Sequence, residues 1–381
     1  MTAGTPQHVL EDAVAMRQAG RELLSLALID ARNHLLRRLA QQPSPLALRL
    51  ATHAGWYQEH WIACHVQRGR GEACDAAGLR LASIEANILH WLEPQAEPPS
   101  PESVRGYLAH TLETTLELLE RTPEDDTALH FFRQSLLHED RLCEALDERQ
   151  RSGQPAACVQ REPLWLPAQR WLLGSPPGGL VPANERWAHE VAVPEFEIDA
   201  QPVNWAQFVE FADDGGYDRA ELWGDVGWAW VQACGRRAPA FVEQLRGGVL
   251  VQRGALPNGT LQRAALGQPV MHVSRHEAQA WCRWAGRRLA TEPEWEIAAC
   301  TAASRGFAWG AVFEWVAGSA RAWPGAPAPA PGALDRVPEH PSGVLRGASF
   351  ATRARWHHPQ ARRFMLPQSD TMFGGFRSCS L

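Results

Sequence analysis

The chain has 381 residues, of which 45% are hydrophobic and 21% are charged, and its net charge is -6. This balance is typical of a folded globular protein and excludes an intrinsically disordered chain. A negative net charge provides no overall attraction to nucleic acid or anionic lipid, so we expect small-molecule partners instead. The length predicts about two domains.

The start of the chain and its cysteines indicate a cellular compartment. No basic segment followed by an apolar run occurs at the start, and no window offers about 18 consecutive apolar residues. The 8 cysteines are scattered without C-x-x-C spacing, which is typical of reduced, mostly buried thiols. These features predict a cytoplasmic protein.

The first 150 residues contain four long helical patterns. In the first, apolar side chains recur at roughly helical spacing, at Leu23, Leu24, Leu26, Ala27, Ile29, Leu35, Leu36 and Leu39. The predicted long helices span residues 19–41, 45–67, 103–121 and 122–149, with a short helix at 82–92. The fourth is expected to be capped by Thr122, with Pro123 in its first turn. Long helices with short connections predict an antiparallel four-helix bundle.

The composition changes after the fourth helix. Residues 151–163 lack periodicity, and we interpret them as a linker between one domain at 1–150 and another at 164–381. Beyond the linker, glycine and proline become frequent, short apolar runs suggest strands, and helices are predicted only at 204–213, 274–285 and 291–299. We expect an irregular domain held by tryptophans, of which the chain has 17, and an α+β protein as a whole.

Five short sequences follow one another in the second half of the chain. They are VPEFEIDAQPVNWAQFVEFADDGGY, PVMHVSRHEAQAWCRWAGRRLATEPEWEIAA, FEWVAGS, VLRGASFATRAR and GGFRSC. Together they resemble the formylglycine-generating-enzyme (sulfatase-modifying factor) family, which implies an irregular C-type-lectin-like fold. Within the second sequence, Thr291 is expected to cap a helix, with Pro293 in its first turn and Glu294 closing a capping box.

The resemblance does not extend to formylglycine generation. That reaction uses a pair of cysteines in the stretch corresponding to residues 347–363, where this chain has none. A DinB-like four-helix bundle in front of this fold is similar instead to the ergothioneine-type sulfoxide synthases and, more narrowly, the selenoneine synthases. The opening LSLALIDARNHLLRRL and the short connection FAWGAVFEWVAGS favour the latter. The resemblance implies an enzyme that uses Fe(II) and O2 to join selenium or sulfur, from a selenosugar or thiol donor, to hercynine.

The resemblance also implies metal ligands. In the family, one histidine lies on the second helix and two lie on the fourth in an H-x3-H-x-E pattern, which places both imidazoles on one helix face. The segment ATHAGWYQEHW supplies His53, and LLHEDRLCEAL supplies His138 and Glu144. We expect Glu144 to accept a hydrogen bond from a ligating imidazole. Leu142 occupies the position of the second histidine.

Because leucine cannot bind a metal, the sequence assigns no residue to the third ligand position. Gln134 shares the helix face of His138 at i-4 and is expected to lie next to the metal ligands. His130 lies two turns away from His138. Two further interpretations therefore stand beside the iron enzyme. One is a catalytically degenerate homologue that binds a small molecule or a protein partner, and the other is an oxidase of the same fold with another substrate.

Further residues are predicted to handle protons and substrate. Tyr57, one turn beyond His53, is the nearest proton donor in sequence. Aromatic faces suited to a trimethylammonium group are Trp309, Phe313, Trp315 and Trp323. From an arginine-rich strip that also contains Arg362 and Arg363, the partners expected for a carboxylate, or for a sugar and its phosphate, are Arg346, Arg353 and Arg355. The alternative for these arginines is a structural salt bridge.

Overall fold

The N-terminal half is a bundle of helices. The computed structural model describes residues 9–254 and 259–381. The helices of this half are α1 (Ala13–Arg17), α2 (Arg21–Gln41), α3 (Pro45–Gln58), α4 (Ile88–Leu92), α5 (Pro101–Glu120) and α6 (Asp126–Gln150). Helices α2, α3, α5 and α6 pack against one another and correspond to the four long helices predicted. No helix in the described ranges is both long and apolar enough to span a bilayer.

Two helix boundaries differ from the prediction. Helix α6 is capped not by Thr122 but by Asp125, whose carboxylate accepts a hydrogen bond from the backbone N–H of Ala128 at 2.9 Å. Helix α3 gives way to a π-helical turn over Glu59–Ala63 instead of remaining α-helical to residue 67. That turn follows directly after the helix segment that carries His53.

A buried arginine joins three helices of the bundle. Arg32 on α2 is 1% exposed, and it donates to both carboxylate oxygens of Glu139 on α6 at 2.9 Å and to Oε1 of Gln58 on α3 at 2.6 Å. Such a buried charge is stable only when it is paired and hydrogen-bonded. Around it α2 buries Leu24, Ala27, Leu35 and Leu39, whereas Leu26 and Ile29 of the predicted stripe are exposed because they lie on another face.

The C-terminal half combines short strands with helices. Its strands are β1 (Leu164–Leu166), β2 (Gln169–Leu173), β3 (His189–Val193), β4 (Phe196–Ile198), β5 (Val242–Gln244), β6 (Leu250–Arg253), β7 (Thr260–Arg263), β8 (Arg288–Leu289), β9 (Phe313–Val316), β10 (Gly343–Arg346), β11 (Arg362–Met365), β12 (Gly374–Phe376) and β13 (Ser378–Cys379). Its helices are α7 (Trp205–Asp213), α8 (Gly224–Cys234), α9 (Arg275–Trp284) and α10 (Glu292–Thr301). The α+β class is confirmed.

Helix α8 was not predicted, and the other three helices of this half were. The sequence of α8, GDVGWAWVQAC, is rich in glycine, valine and tryptophan, which are weak helix formers. Helices α7, α9 and α10 each begin with a capping box, and the box of Thr291 and Glu294 at α10 was predicted.

Two four-stranded sheets organise this half, with strand orders β1-β4-β13-β8 and β11-β10-β9-β12. In the second sheet β12 runs parallel to β9, and β10 lies antiparallel on the other side of β9. The predicted tryptophan core is present, because Trp205, Trp295 and Trp315 are among the largest fully buried side chains.

Arginines of the C-terminal half reach carboxylates of the bundle. Arg355 donates to Asp140 on α6 at 2.6 and 3.0 Å, and Arg363 donates to Glu148 on the same helix at 2.7 and 2.8 Å. Further pairs between the halves are Arg353 with Asp30, Arg17 with Glu185, and Arg186 with Glu72.

Residues 152–163 contain no helix or strand, and the division at 151–163 stays a prediction.

Candidate functional site

Two imidazoles from different helices meet inside the bundle. Nδ1 of His53 on α3 lies 3.0 Å from Nε2 of His138 on α6, and the ring centroids are 5.1 Å apart. Two nitrogens that bind one metal ion at ordinary bond lengths are also about 3 Å apart. The spacing therefore suits a direct hydrogen bond or two neighbouring positions around one ion.

Burial keeps both imidazoles neutral. It lowers the pKa of His53, and burial together with the neighbouring His53 and Arg141 lowers the pKa of His138 to about 3. A neutral imidazole has one N–H donor and one lone pair, so one ring donates to the other. Neutral imidazole is also the form that binds metals, and no imidazolium has to be deprotonated first.

The third ligand position departs from the three-histidine pattern. Leu142, one turn beyond His138, packs with the apolar residues of the bundle. Within residues 9–254 and 259–381, no three His, Cys, Asp or Glu side chains converge as metal ligands do. The described residues therefore fit two positions around an iron ion and leave the third without such a donor.

Two further histidines of the bundle, His130 and His60, lie elsewhere. His130 faces Glu72, with Nδ1 of the histidine 3.7 Å from the carboxylate, and His60 packs on Trp56 with ring centroids 4.8 Å apart. Neither side chain completes the pair of His53 and His138.

Tyr57 and Gln134 bind the same backbone oxygen. The Tyr57 hydroxyl donates to the carbonyl of Gly332 at 2.7 Å, and Nε2 of Gln134 donates to it at 2.8 Å. The Tyr57 ring centroid is 4.1 Å from that of His138, and burial raises the pKa of Tyr57 so that the hydroxyl stays protonated. Oε1 of Gln134 is buried and has no hydrogen-bond partner among the described residues. Both side chains thus stand beside the histidine pair.

Gly332 belongs to the long connection between β9 and β10, residues 317–342, which we call the strap. Its φ is +69°, and a Cβ at this position would lie 2.5 Å from the Trp61 side chain on the bundle. Only glycine allows this approach in this conformation. Asp335 of the strap forms an ion pair with Arg141 on α6. The strap therefore brings the C-terminal half against the histidine pair.

Glu144 contacts the C-terminal half and not an imidazole. Its carboxylate accepts hydrogen bonds from the hydroxyls of Ser349, at 2.7 Å, and Thr352. Burial raises the pKa of Glu144, with Arg363 opposing this effect and Glu148 adding to it. The expectation that Glu144 accepts from a ligating histidine therefore differs from the structure, in which Oε1 of the carboxylate accepts from these two hydroxyls instead.

A cavity of about 130 Å³ lies between α6, the strap and the C-terminal half. Its lining includes Glu144, Phe313, Arg353, Arg363, Arg141 and Asp335. The first three were predicted site residues. The cavity is smaller than the roughly 300 Å³ at which ordinary ligand pockets begin. Aromatic, acidic and basic groups thus converge here in a closed space.

The four predicted aromatic residues do not share one wall. Phe313 lines the cavity, with the Arg363 guanidinium 4.9 Å from its ring centroid. Trp315 is a core residue whose indole N–H donates to the carbonyl of Val273 at 2.9 Å. Trp309 packs on Trp295, with ring centroids 5.5 Å apart.

Trp323 lies beneath the guanidinium of Arg362, 3.7 Å from the ring centroid, and lines a different cleft. That cleft, of about 1020 Å³, lies between α9, β8 and α10, and neither His53 nor His138 lines it or the cavity of about 130 Å³. The expectation that all four aromatic residues face the substrate therefore differs from the structure for Trp315, whose ring is enclosed in the core, and for Trp323, which lies at another cleft.

The predicted carboxylate-binding arginines are engaged in ion pairs. Arg346 is fully buried and pairs with Glu292 and Glu296. Arg353 pairs with Asp30, and Arg355 pairs with Asp140 and Asp30. All three side chains therefore form structural salt bridges, although Arg353 also lines the cavity.

Several residues at the site were not singled out in the sequence. Asp335 lies in an irregular connection without a motif, and its role depends on an αL conformation with φ 62°. Arg141 lies inside the helix-four motif but between its named positions. Ser349 and Thr352 lie within the motif VLRGASFATRAR, but nothing in the motif marks their hydroxyls as partners of Glu144.

Comparison with known proteins agrees with the resemblance noted in the sequence. Residues 159–324 match the family model described as the sulfatase-modifying factor enzyme 1-like domain. A hercynine oxygenase of Mycolicibacterium thermoresistibile is 29% identical, covering 94% of this chain and 94% of the relative. Hercynine oxygenases of Mycolicibacterium smegmatis and Mycobacterium tuberculosis are 30% and 29% identical, covering 80% and 88% of this chain and 73% and 90% of the relatives.

Proposed function

The chain belongs to the hercynine oxygenase family, and on this basis we propose that it is an oxidoreductase that uses ferrous iron and dioxygen to join selenium, or sulfur, to hercynine. The observation that carries the proposal is the 3.0 Å approach of His53 and His138 at the positions of family ligands. Relatives that are oxygenases favour this function over a catalytically degenerate binding protein.

Iron would be held by the imidazoles of His53 and His138, and it would supply activation of dioxygen. With two protein imidazoles instead of three, we expect the ion to bind weakly. Tyr57 holds its proton beside His138, and Gln134 fixes the Gly332 carbonyl next to it. Tyr57 would therefore hold a proton at the site, and Gln134 would hold the strap against it.

The cavity between the halves is the proposed place for hercynine. Its trimethylammonium group would lie near Phe313 and Asp335, because aromatic faces and carboxylates both attract a cation. Its carboxylate would face Arg141. Since about 130 Å³ is small for a ligand pocket, we expect the strap to shift when substrate enters.

The short connection from Trp309 to Glu314 favours a bulky selenosugar as the donor. To test this, protein loaded anaerobically with ferrous ion is mixed with hercynine, air and one donor, either a selenosugar, cysteine or gamma-glutamylcysteine. We expect iron-dependent oxygen uptake and a product with the mass of the selenium adduct. Preferential turnover of a thiol would assign the protein to the sulfur branch.

The matched control is His138→Leu, which removes one of the two imidazoles and keeps the site apolar. It should lose both bound iron and oxygen uptake. If the wild-type protein binds no ferrous ion and turns over none of the donors, the enzyme proposal is wrong.

A further inference from the structure

Three residues with left-handed backbone conformations meet far from the histidine pair. Among the described residues, the non-glycine positions with positive φ are Arg151 (49°), Phe241 (64°), His272 (64°) and Asp335 (62°). The Arg151 guanidinium lies 4.6 Å from the ring centroid of Phe241, whose ring meets His272 edge-on at 5.0 Å. Such conformations cost free energy and concentrate at binding sites.

The same place holds buried polar nitrogens without hydrogen-bond partners. Arg253 at the end of β6 is 6% exposed, and its Nε and Nη1 have no hydrogen-bond partner among the described residues. The same is true of Nε of Arg151, which is 5% exposed, and of Nε2 of His272, which is 1% exposed. Buried polar groups in folded proteins are nearly always paired, so the guanidinium donors of this group lack an acceptor.

No carboxylate neutralises the two guanidinium groups. Neither Arg151 nor Arg253 takes part in an ion pair within the described part of the chain, and residues 1–8 and 255–258 contain no Asp or Glu. The nearby Asp370 directs its carboxylate to Arg236. Burial, followed by the charge of Arg151, lowers the pKa of Arg253. Buried cations without a counter-charge are costly, so the arrangement calls for an anion.

The protonation of His272 is consistent with this requirement. Its Nδ1 lies 3.2 Å from the backbone oxygen of Asp370. Because a carbonyl oxygen only accepts, Nδ1 carries the proton, and Nε2 is a buried lone pair without a hydrogen-bond partner among the described residues. An arriving anion would draw a second proton onto Nε2 and gain a third donor.

We propose that Arg151, Arg253 and His272 form a binding site for a small oxyanion, either a phosphate or a carboxylate group. Guanidinium groups match such oxygens with pairs of N–H donors. Arg151 follows His138 by 13 residues along and just beyond α6, which corresponds to roughly 20 Å. The site is therefore separate from the histidine pair and independent of the function proposed above.

The thermal midpoint of the full chain is measured while inorganic phosphate, acetate or sodium chloride is added at matched ionic strength. A ligand that binds only the folded state raises the midpoint with a saturable dependence on concentration. We expect phosphate or acetate to do so and chloride not to. The stronger of the two distinguishes a tetrahedral phosphate from a planar carboxylate.

Arg253→Gln should weaken the apparent affinity roughly ten- to hundred-fold, because it removes charge-assisted donors. The control is Arg263→Gln on the neighbouring strand β7, where the side chain is exposed, and it should leave the affinity unchanged. Equal responses of the wild type and Arg253→Gln, or an equal response to chloride, would overturn the proposal.

A second variant covers the case in which Arg253→Gln fails to fold. Arg151→Gln removes the other guanidinium, and equilibrium dialysis of labelled phosphate against wild type and variant measures binding directly. Loss of dialysis binding in Arg151→Gln supports the site, and undiminished binding refutes it.

Discussion

The hydroxyl of Tyr57 donates to the carbonyl oxygen of Gly332 at 2.7 Å, so the strap is joined directly to the helix that carries His53. Tyr57→Phe removes one of two donors to that oxygen and should lower stability by about 0.5–1.5 kcal/mol. If Tyr57 delivers a proton, product formation should fall much further while iron content stays constant.

The matched control for this substitution is Tyr107→Phe. Tyr107 donates to Glu59 at 2.7 Å inside the same bundle, away from the histidine pair. It should lose comparable stability and retain turnover. Similar turnover losses in the two variants would show that Tyr57 acts only through the fold.

Gly332→Ala should displace the strap. The added Cβ meets Trp61 at 2.5 Å in a left-handed conformation, so the cost should reach about 1–3 kcal/mol or more. Gly325→Ala is the control, because φ is +74° there and nothing lies within 4 Å. Denaturant unfolding of both variants separates the clash with Trp61 from the backbone strain, which the two positions share. Equal losses of unfolding free energy in the two variants would contradict the clash.

Leu142→His restores the helix-four pattern of two imidazoles one turn apart. We expect higher iron occupancy after anaerobic loading and a larger iron-dependent rise of the thermal midpoint. Leu36→His, on α2 and in the same apolar cluster, is the control that adds an imidazole away from His53. If the wild type already binds one ion tightly and Leu142→His gains nothing, another donor completes the site.

Arg355→Met should destabilise the protein strongly. The side chain is 1% exposed and neutralises Asp140, which would remain buried and unpaired. Removing one partner of a buried pair costs about 3–5 kcal/mol, whereas an exposed pair contributes about 0–1 kcal/mol. Arg170→Met, which breaks an exposed pair with Glu190, is the comparison. If Arg355→Met lost no more unfolding free energy than Arg170→Met, the result would be inconsistent with a buried pair of Arg355 and Asp140.

His130 should contribute to acid unfolding. Burial lowers its pKa to about 4 from the ordinary value of 6.5, against the opposing effect of the Glu72 carboxylate. Between these values the unfolded state binds the extra proton, so stability falls as the pH falls from about 6.5 toward 4, by up to about 1.4 kcal/mol per pH unit. His130→Gln should flatten the dependence, and exposed His90→Gln should not. Parallel profiles for the wild type and His130→Gln would refute this assignment.

Periodicity predicted the helices of the bundle because each buries a stripe of its own residues. The histidine pair followed from the family resemblance, which gave His53 and His138 the positions of metal ligands, and not from helical spacing alone. Helix α8 was missed because its residues favour a helix weakly and the surrounding fold decides its conformation.

Contacts between distant segments could not be predicted in this way. Gly332 is 275 residues from Tyr57 in the chain, and its approach depends on an irregular connection. The arginine-rich strip was visible, but the identity of its partners depends on how the halves dock. Arg355 meets Asp140 across 215 residues, which no local pattern records.

This docking also constrains how the polypeptide is assembled during synthesis. The bundle leaves the ribosome first, with Asp140 and Glu148 still hydrated, and Arg355 and Arg363 follow 215 residues later. Among the described residues, no group of the bundle itself donates to these two carboxylates. The last part of the chain therefore supplies the counter-charges of the first, and we expect a bundle produced without that part to be less stable.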